Sequence, residues 1–583
     1  MDSRFRFALA SAALLTLGAC ATTPPQAGGQ ASASAALAAD NDKASVYGLY
    51  LAGQAAFDSG DSQTASQFFD RAKTANPQAG FLKDRAFTAA LLAGDVTRAA
   101  ALAPAPGEGA DGSQALGLLA QAVDALADGR GAEAWAKLTQ APPGVSVGEA
   151  GVILKPWAAA AAGRSADSLT IPATNDRLLT LIGGLDQAQL FERAHRDAEA
   201  ETAYKALLEK GVGKAMVGPL YGQFLERRGR RPEALAVYND LLATDPADAT
   251  LLAARARVVA KGSLPAAPSI REGAAQALMA PAAAALGERQ PEVALVYLRL
   301  ALRLDPKRDD AWLLVGDVEN ASNDVDGARA AFAKVGPASP RYADARSRLA
   351  WSYQQASDKD DALKIARETV QQQPSSDAAR LTLADILRAN DQFEESAKTL
   401  DPVIASAGDH AEWRIYYMRA VALERSGHWP DAQRDLSKAL SLKPDEPEIL
   451  NYLGYSWVNR GERVKDGMAL IQKAVAAQPE EGAYVDSLGW AFYRTGDYAH
   501  AVQTLEQAVS LDAGDAEIND HLGDAYWRVG RHDEARFQWQ AVLTMKPDPE
   551  VKTRAEAKLA SPLGVEAIAQ PAPVADRTVV QTP

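Results

Sequence analysis

The 583-residue chain contains one cysteine, Cys20, so it can form no disulfide within itself and build no zinc site from cysteines. Histidine is also scarce. The six are His195, His410, His428, His500, His521 and His532, and no two are spaced as His-Glu-x-x-His. No Gly-x-x-x-x-Gly-Lys-Ser/Thr loop is present to cradle a phosphate, and no Gly-x-Ser-x-Gly turn to raise a nucleophile. Lys and Arg number 61 against 75 Asp and Glu, a formal charge of −14, and no basic block interrupts the acidic balance. Phosphate backbones and anionic lipid surfaces are held by clustered Lys and Arg, so neither nucleic acid nor electrostatic membrane attachment is expected. These absences point away from metal chemistry, cofactor binding and catalysis.

What is present is repetition. Leu453-Gly454-Tyr455-Ser456-Trp457, Leu488-Gly489-Trp490-Ala491-Phe492 and Leu522-Gly523-Asp524-Ala525-Tyr526 follow one another at intervals of 35 and 34 residues. In the last copy Gly530, Ala535, Trp539 and Pro547 come at set distances behind Gly523. Self-similarity at this period marks a stacked array of short units. Hydrophobic residues make up 47% of the chain, largely Ala and Leu, which favours helix.

Each unit reads as two helices. Leu522, Gly523 and Tyr526 share one face of the first; Gly523 lacks a Cβ, so the second helix can approach closely, and Ala535 supplies the matching small surface. Gly530 suits the turn between them and Pro547 stops the second helix. One pair alone leaves its apolar face exposed, so stability must come from its neighbours. The pair 447–481 is one residue longer, within Glu462-Arg463-Val464-Lys465-Asp466, and has Gly467 where alanine is usual. Its turn is expected to be longer and looser.

These residues resemble the tetratricopeptide-repeat family. The resemblance implies an all-α fold, a solenoid or superhelix of antiparallel helix pairs, preceded by a flexible tether and followed by a disordered tail. Residues 46–248 read as an N-terminal array in which 148–180 resists assignment. Residues 249–274, punctuated by Gly262-Ser263-Leu264-Pro265 and Pro268, read as an irregular joint. A C-terminal array then occupies 275–549, a capping helix 550–560 and the tail 561–583, which carries Pro562, Pro571, Pro573 and Pro583. The unassigned stretches are too short for a catalytic domain.

At the start, Arg4 and Arg6 precede an apolar run, Phe7 to Leu17, too short to span a bilayer. Leu17-Gly18-Ala19-Cys20 resembles the lipobox of bacterial lipoproteins. That implies a signal peptide over 1–19, acylation (palmitate among the chains) on Cys20, and a lipidated tether over 20–45. The alternative is an ordinary secretory signal with a chance cysteine. Two or more acyl chains anchor stably where one does not. Ala21, where an Asp would resemble an inner-membrane retention signal, implies the outer membrane, facing the periplasm.

By the same resemblance, set positions of each first helix line a concave face. In the last four units these are Tyr417, Val421, Glu424 and Arg425; Asn451, Tyr455 and Asn459; Asp486, Trp490, Tyr493 and Arg494; and Asp520, Asp524, Trp527 and Arg528. Tyr455, Trp490 and Trp527 stand out, since large aromatics gain little on a surface without a partner. The competing reading is that they pack along neighbouring helices. The Lys, Asn and Arg set of the family's chaperone-binding carboxylate clamp is absent from these positions.

The C-terminal third further resembles bacterial envelope lipoproteins, through Asn451-Tyr452-Leu453-Gly454-Tyr455, Val485-Asp486-Ser487-Leu488-Gly489-Trp490 and Asn519-Asp520-His521-Leu522-Gly523. Some of these hold a periplasmic carboxyl-terminal processing protease and deliver cell-wall hydrolases to it. The resemblance implies a non-enzymatic scaffold or adaptor that binds envelope proteins. The alternative is a structural component of an envelope export or polysaccharide-secretion machine.

Overall fold

The computed structural model describes residues 45–104, 111–139, 148–170, 177–209 and 213–561. Cys20, most of the tether and the tail from 562 onward lie outside them. All regular secondary structure among the described residues is helical, arranged as consecutive antiparallel pairs. No helix among them is long and apolar enough to cross a membrane.

The close approach of paired helices is set at their glycines. A Cβ on Gly523 would lie 2.4 Å from Nε1 of Trp539, and one on Gly489 would lie 2.6 Å from Cγ of Leu505. Ala501, Leu505, Ala535 and Trp539 fill that space and are fully buried. In 447–481 the two facing residues are Gly454 and Gly467, each of which would drive a Cβ to within 2.7 Å of the other's carbonyl oxygen. Gly467 therefore marks a close backbone-to-backbone helix contact. The extra residue is taken up in the turn, where Gly461 (φ 70°) and Arg463 (φ 42°) are both left-handed.

The structure forms two compact units. The first comprises the described residues up to Leu241 together with Lys261–Ala311 and Val318–Asp324. Helix Val96–Leu102 has only seven residues, as Pro104 and Pro106 suggest. The unassigned stretch 148–180 contains helix Gly148–Ala161 and the short helix Ser165–Ser168.

Residues 249–274, read as a joint, divide differently. Asp248 caps helix Ala249–Val259, residues 262–269 have no regular secondary structure, and a reciprocal Ser269–Glu272 capping box opens helix Ile270–Gly287. That helix and its partner Pro291–Leu304 group with the first compact unit. They pack against the first helices of successive pairs: Pro291–Leu304 on Gly80–Leu92 and Asp111–Ala127, Ile270–Gly287 on Gly148–Ala161 and Arg177–Arg193. The reason lies in their composition. Ala294, Leu295, Val296, Leu298, Leu300, Ala301, Leu302 and Leu304 are all buried, so Pro291–Leu304 is apolar around most of its circumference and must be covered on more than one face. Arg271 donates to the carbonyl of Ala127 at 3.1 Å, Arg299 to that of Leu92 at 3.0 Å, and Arg303 to Asp124 and Asp128 at 3.1 and 2.6 Å. Gly273 lies on the buried ring of Trp157, where a Cβ would approach to 2.0 Å.

The second unit comprises Leu242–Ala260, Trp312–Asp317 and the described residues from Val325 onward. Its cores join successive pairs. One gathers Leu313, Phe332, Leu349, Ile365 and Leu387; another gathers Trp490, Leu505, Tyr526, Trp539 and Val551. The last helix, Pro549–Ala560, packs on His532–Thr544.

Candidate interaction groove of the C-terminal unit

The second unit has a groove of about 850 Å³. Its walls are the C-terminal ends of helices Trp413–Arg425 and Pro447–Arg460, residues Asp391 and Phe393, and the first turns of Pro549–Ala560. Glu424, Arg425, Tyr452, Tyr455, Ser456, Asn459, Arg460, Glu517, Asp548, Glu550 and Arg554 line it.

Most of the proposed groove residues lie elsewhere, and the structure shows why. Tyr455 lines the groove, half-buried, as do Glu424, Arg425 and Asn459. Trp490 does not. It is 6% exposed, stacked between Tyr493 (centroids 4.7 Å) and His521 (4.1 Å), and donates from Nε1 to Asn459 Oδ1 at 3.3 Å. Trp527 is half-buried, with its ring 4.1 Å from that of His532 and 5.7 Å from that of Trp539. For these two the packing alternative holds. Tyr417 stacks edge-on against Tyr452, Arg494 donates to the carbonyl of Asn459 at 2.7 Å, and Arg528 donates to the Tyr498 hydroxyl at 2.7 Å. Asn451 is half-buried; its buried Oδ1 has no hydrogen-bond partner among the described residues.

The three aspartates are consumed by neighbouring helices. His521 Nδ1 lies 3.0 Å from Asp486, and both are buried. Lys558 of the last helix reaches Asp520 at 2.8 Å and Asp524 at 2.7 Å, and Arg554 adds a bond to Asp520 at 3.3 Å. Burial pushes the Asp524 carboxyl upward while Lys558 pulls it back. The sequence carried a signal for this. Arg554 and Lys558 are four residues apart, as are Asp520 and Asp524, and each cation lies 34 residues beyond one of the aspartates. A cation one repeat downstream of a carboxylate at the same register faces it across the helix interface.

Charge in the groove is unevenly compensated. Arg460 pairs with Glu424 at 2.8 Å and Arg554 with Glu517 at 3.1 Å, while the Arg425 guanidinium lies 4.9 Å from the centre of the Phe393 ring. Asp391, Asp548 and Glu550 are exposed, and among the described residues their side chains have no ion-pair or hydrogen-bond partner. Burial, then Glu517 and Asp486, hold the Tyr455 phenol well above its ordinary pKa, so at neutral pH it keeps its proton and can donate. Among the described residues no group of three or more His, Cys, Asp or Glu could hold a metal ion.

Tetratricopeptide-repeat models match residues 280–343, 353–416, 417–481 and 487–550. The chain carries tetratricopeptide repeats. Their helix pairs make it an all-α tetratricopeptide-repeat solenoid, a fold whose general use is protein–protein interaction. The TPR repeat-containing protein PA4667 of Pseudomonas aeruginosa is 28% identical over 218 residues, 37% of this chain and 36% of that protein. The human protein O-mannosyl-transferase TMTC1 is 24% identical over 200 residues, 34% of this chain and 19% of that one. The chain thus spans about a third and about a fifth of these curated relatives. Among solved structures, the APC/C hetero-tetramer Cut9–Hcn1 aligns over 90% of this chain and 98% of its own, with 14% identity and a TM-score of 0.36.

Proposed function

We propose that this tetratricopeptide-repeat chain is a non-enzymatic scaffold of the bacterial envelope, anchored by lipid on Cys20 and binding a partner protein in the groove of its C-terminal unit. The observation that carries this reading is the contrast between the two units. In the first, the first helices of successive pairs are covered by the chain's own pair, Ile270–Gly287 and Pro291–Leu304. In the second, the groove beside Tyr455 stays open and is lined by aromatic, amide and charged side chains. Such side chains suit an extended segment, whose backbone needs donors and acceptors and whose side chains need pockets. In its sharpest form the protein presents substrates, such as cell-wall hydrolases, to a periplasmic carboxyl-terminal processing protease.

A photoreactive residue at Asn459, inside the groove, tests the reading; Trp490 is too buried to serve. Capture of a defined envelope protein at Asn459, and little at the exposed residue Gln507 outside the groove lining, is expected. Equal capture at both would falsify the groove. Recovery of partners without any protease removes the adaptor form and leaves the scaffold. Cys20→Ser is expected to move the protein from the membrane to the soluble fraction; an unchanged distribution excludes the lipid anchor.

A further inference from the structure

The groove's chemistry also says what kind of segment it takes. This step rests on the reading that the groove is the partner-binding surface. We infer that its occupant is an extended peptide segment carrying lysine or arginine, whose cationic ends meet Asp548, Glu550 and Asp391 beside the Tyr455 and Phe393 rings.

The charge count leads there. The lining has five carboxylates, Asp391, Glu424, Glu517, Asp548 and Glu550, and three guanidiniums. Two of the guanidiniums are already held, Arg460 by Glu424 and Arg554 by Glu517, with Arg554 also bonded to buried Asp520. Arg425 rests over Phe393. The three carboxylates left without a partner outnumber that one remaining cation. Asp548 and Glu550 stand at the N-terminal end of helix Pro549–Ala560, whose partial charge of roughly +0.5 offsets only part of theirs. An acidic segment would bring like charges together, at a cost on entry and on docking. A cationic one would gain both the ion pairs and the faces of the two rings. An extended chain places alternate side chains on opposite sides, so a basic residue at every second position would meet the same wall.

Three fluorescein-labelled nonapeptides built on glycine, serine and alanine test this. They carry three lysines, three glutamates or neither, and span about 30 Å when extended. Fluorescence polarisation with the full chain at low salt is expected to rank the lysine peptide roughly tenfold tighter than the glutamate peptide, with the gap shrinking as salt is added. Asp548→Asn combined with Glu550→Gln is expected to weaken the lysine peptide roughly fivefold and leave the neutral one unchanged. The control is Glu480→Gln with Glu481→Gln, two exposed carboxylates outside the groove that change the net charge equally. Equal losses in the two double variants would reduce the effect to overall charge and overturn the inference. So would tighter binding of the glutamate or neutral peptide. If the lysine peptide fails to bind while Asn459 still captures a partner, the inference falls and the groove reading stands. If both fail, both fall.

Discussion

At Gly489 the absence of a single carbon decides how closely two helices sit, because Leu505 occupies the space a Cβ would need. Gly489→Leu is expected to cost about 1–3 kcal/mol by overpacking, read as a lower urea midpoint; an unchanged midpoint would refute the contact. His521, on the first helix of the next repeat, meets buried Asp486. Burial opposes the imidazolium, but Asp486 at 3.0 Å, with Glu517 and Asp520 beyond it, outweighs that and raises the pKa above its ordinary value. A raised folded-state pKa stabilises fully below the unfolded value, about 6.5, and that stability is lost as pH climbs through the folded value. Urea midpoints should therefore fall as pH rises from about 6.5, and His521→Gln should remove that part of the dependence. A midpoint rising over the same window contradicts the assignment.

At the scale of the helix, the pairs are joined by a left-handed residue, and it need not be glycine. Gly427, Gly496 and Gly530 fill that place in three turns; His195, Ser357 and Asp391 fill it in others at φ 57°, 63° and 59°. Glycine also fills it at Gly60, Gly94, Gly129, Gly163 and Gly229, so the turn residue by itself does not separate the clear repeats from the obscure ones. The last helix, Pro549–Ala560, is polar enough to read as a cap. Its sequence sets Arg554 and Lys558 one repeat beyond Asp520 and Asp524, but the depth to which Lys558 sinks between them, 4% exposed, comes from the packing. Lys558→Ala leaves buried Asp524 without its cation and Asp520 with Arg554 alone, and should cost about 3–5 kcal/mol in denaturant melts. A loss below 1 kcal/mol would mean that the helix does not hold the end of the array through this contact.

On the scale of the molecule, each compact unit treats its inner helices differently. The first covers them with its own pair, Ile270–Gly287 and Pro291–Leu304; the second leaves a groove. Gly273→Leu pushes a side chain into the buried Trp157 ring and is expected to expose the irregular stretch 262–269 and the helix after it to limited proteolysis. An unchanged cleavage pattern would argue against the packing.

The helical pairing, the repeat length and the glycine–alanine contacts were legible because they arise from spacing within one unit: a missing Cβ and a facing small residue need no knowledge of the rest of the chain. Which surfaces remain open was not legible. Trp490 and Tyr455 hold equivalent positions in successive repeats, yet one is stacked between Tyr493 and His521 and the other faces the groove. Asp520 and Asp524 can be buried because Arg554 and Lys558 arrive from the last helix of the array. The sequence by itself determined the solenoid, since each unit encodes its own fold. Its tertiary structure decided where a partner can enter, since burial depends on what the neighbouring units bring to each face.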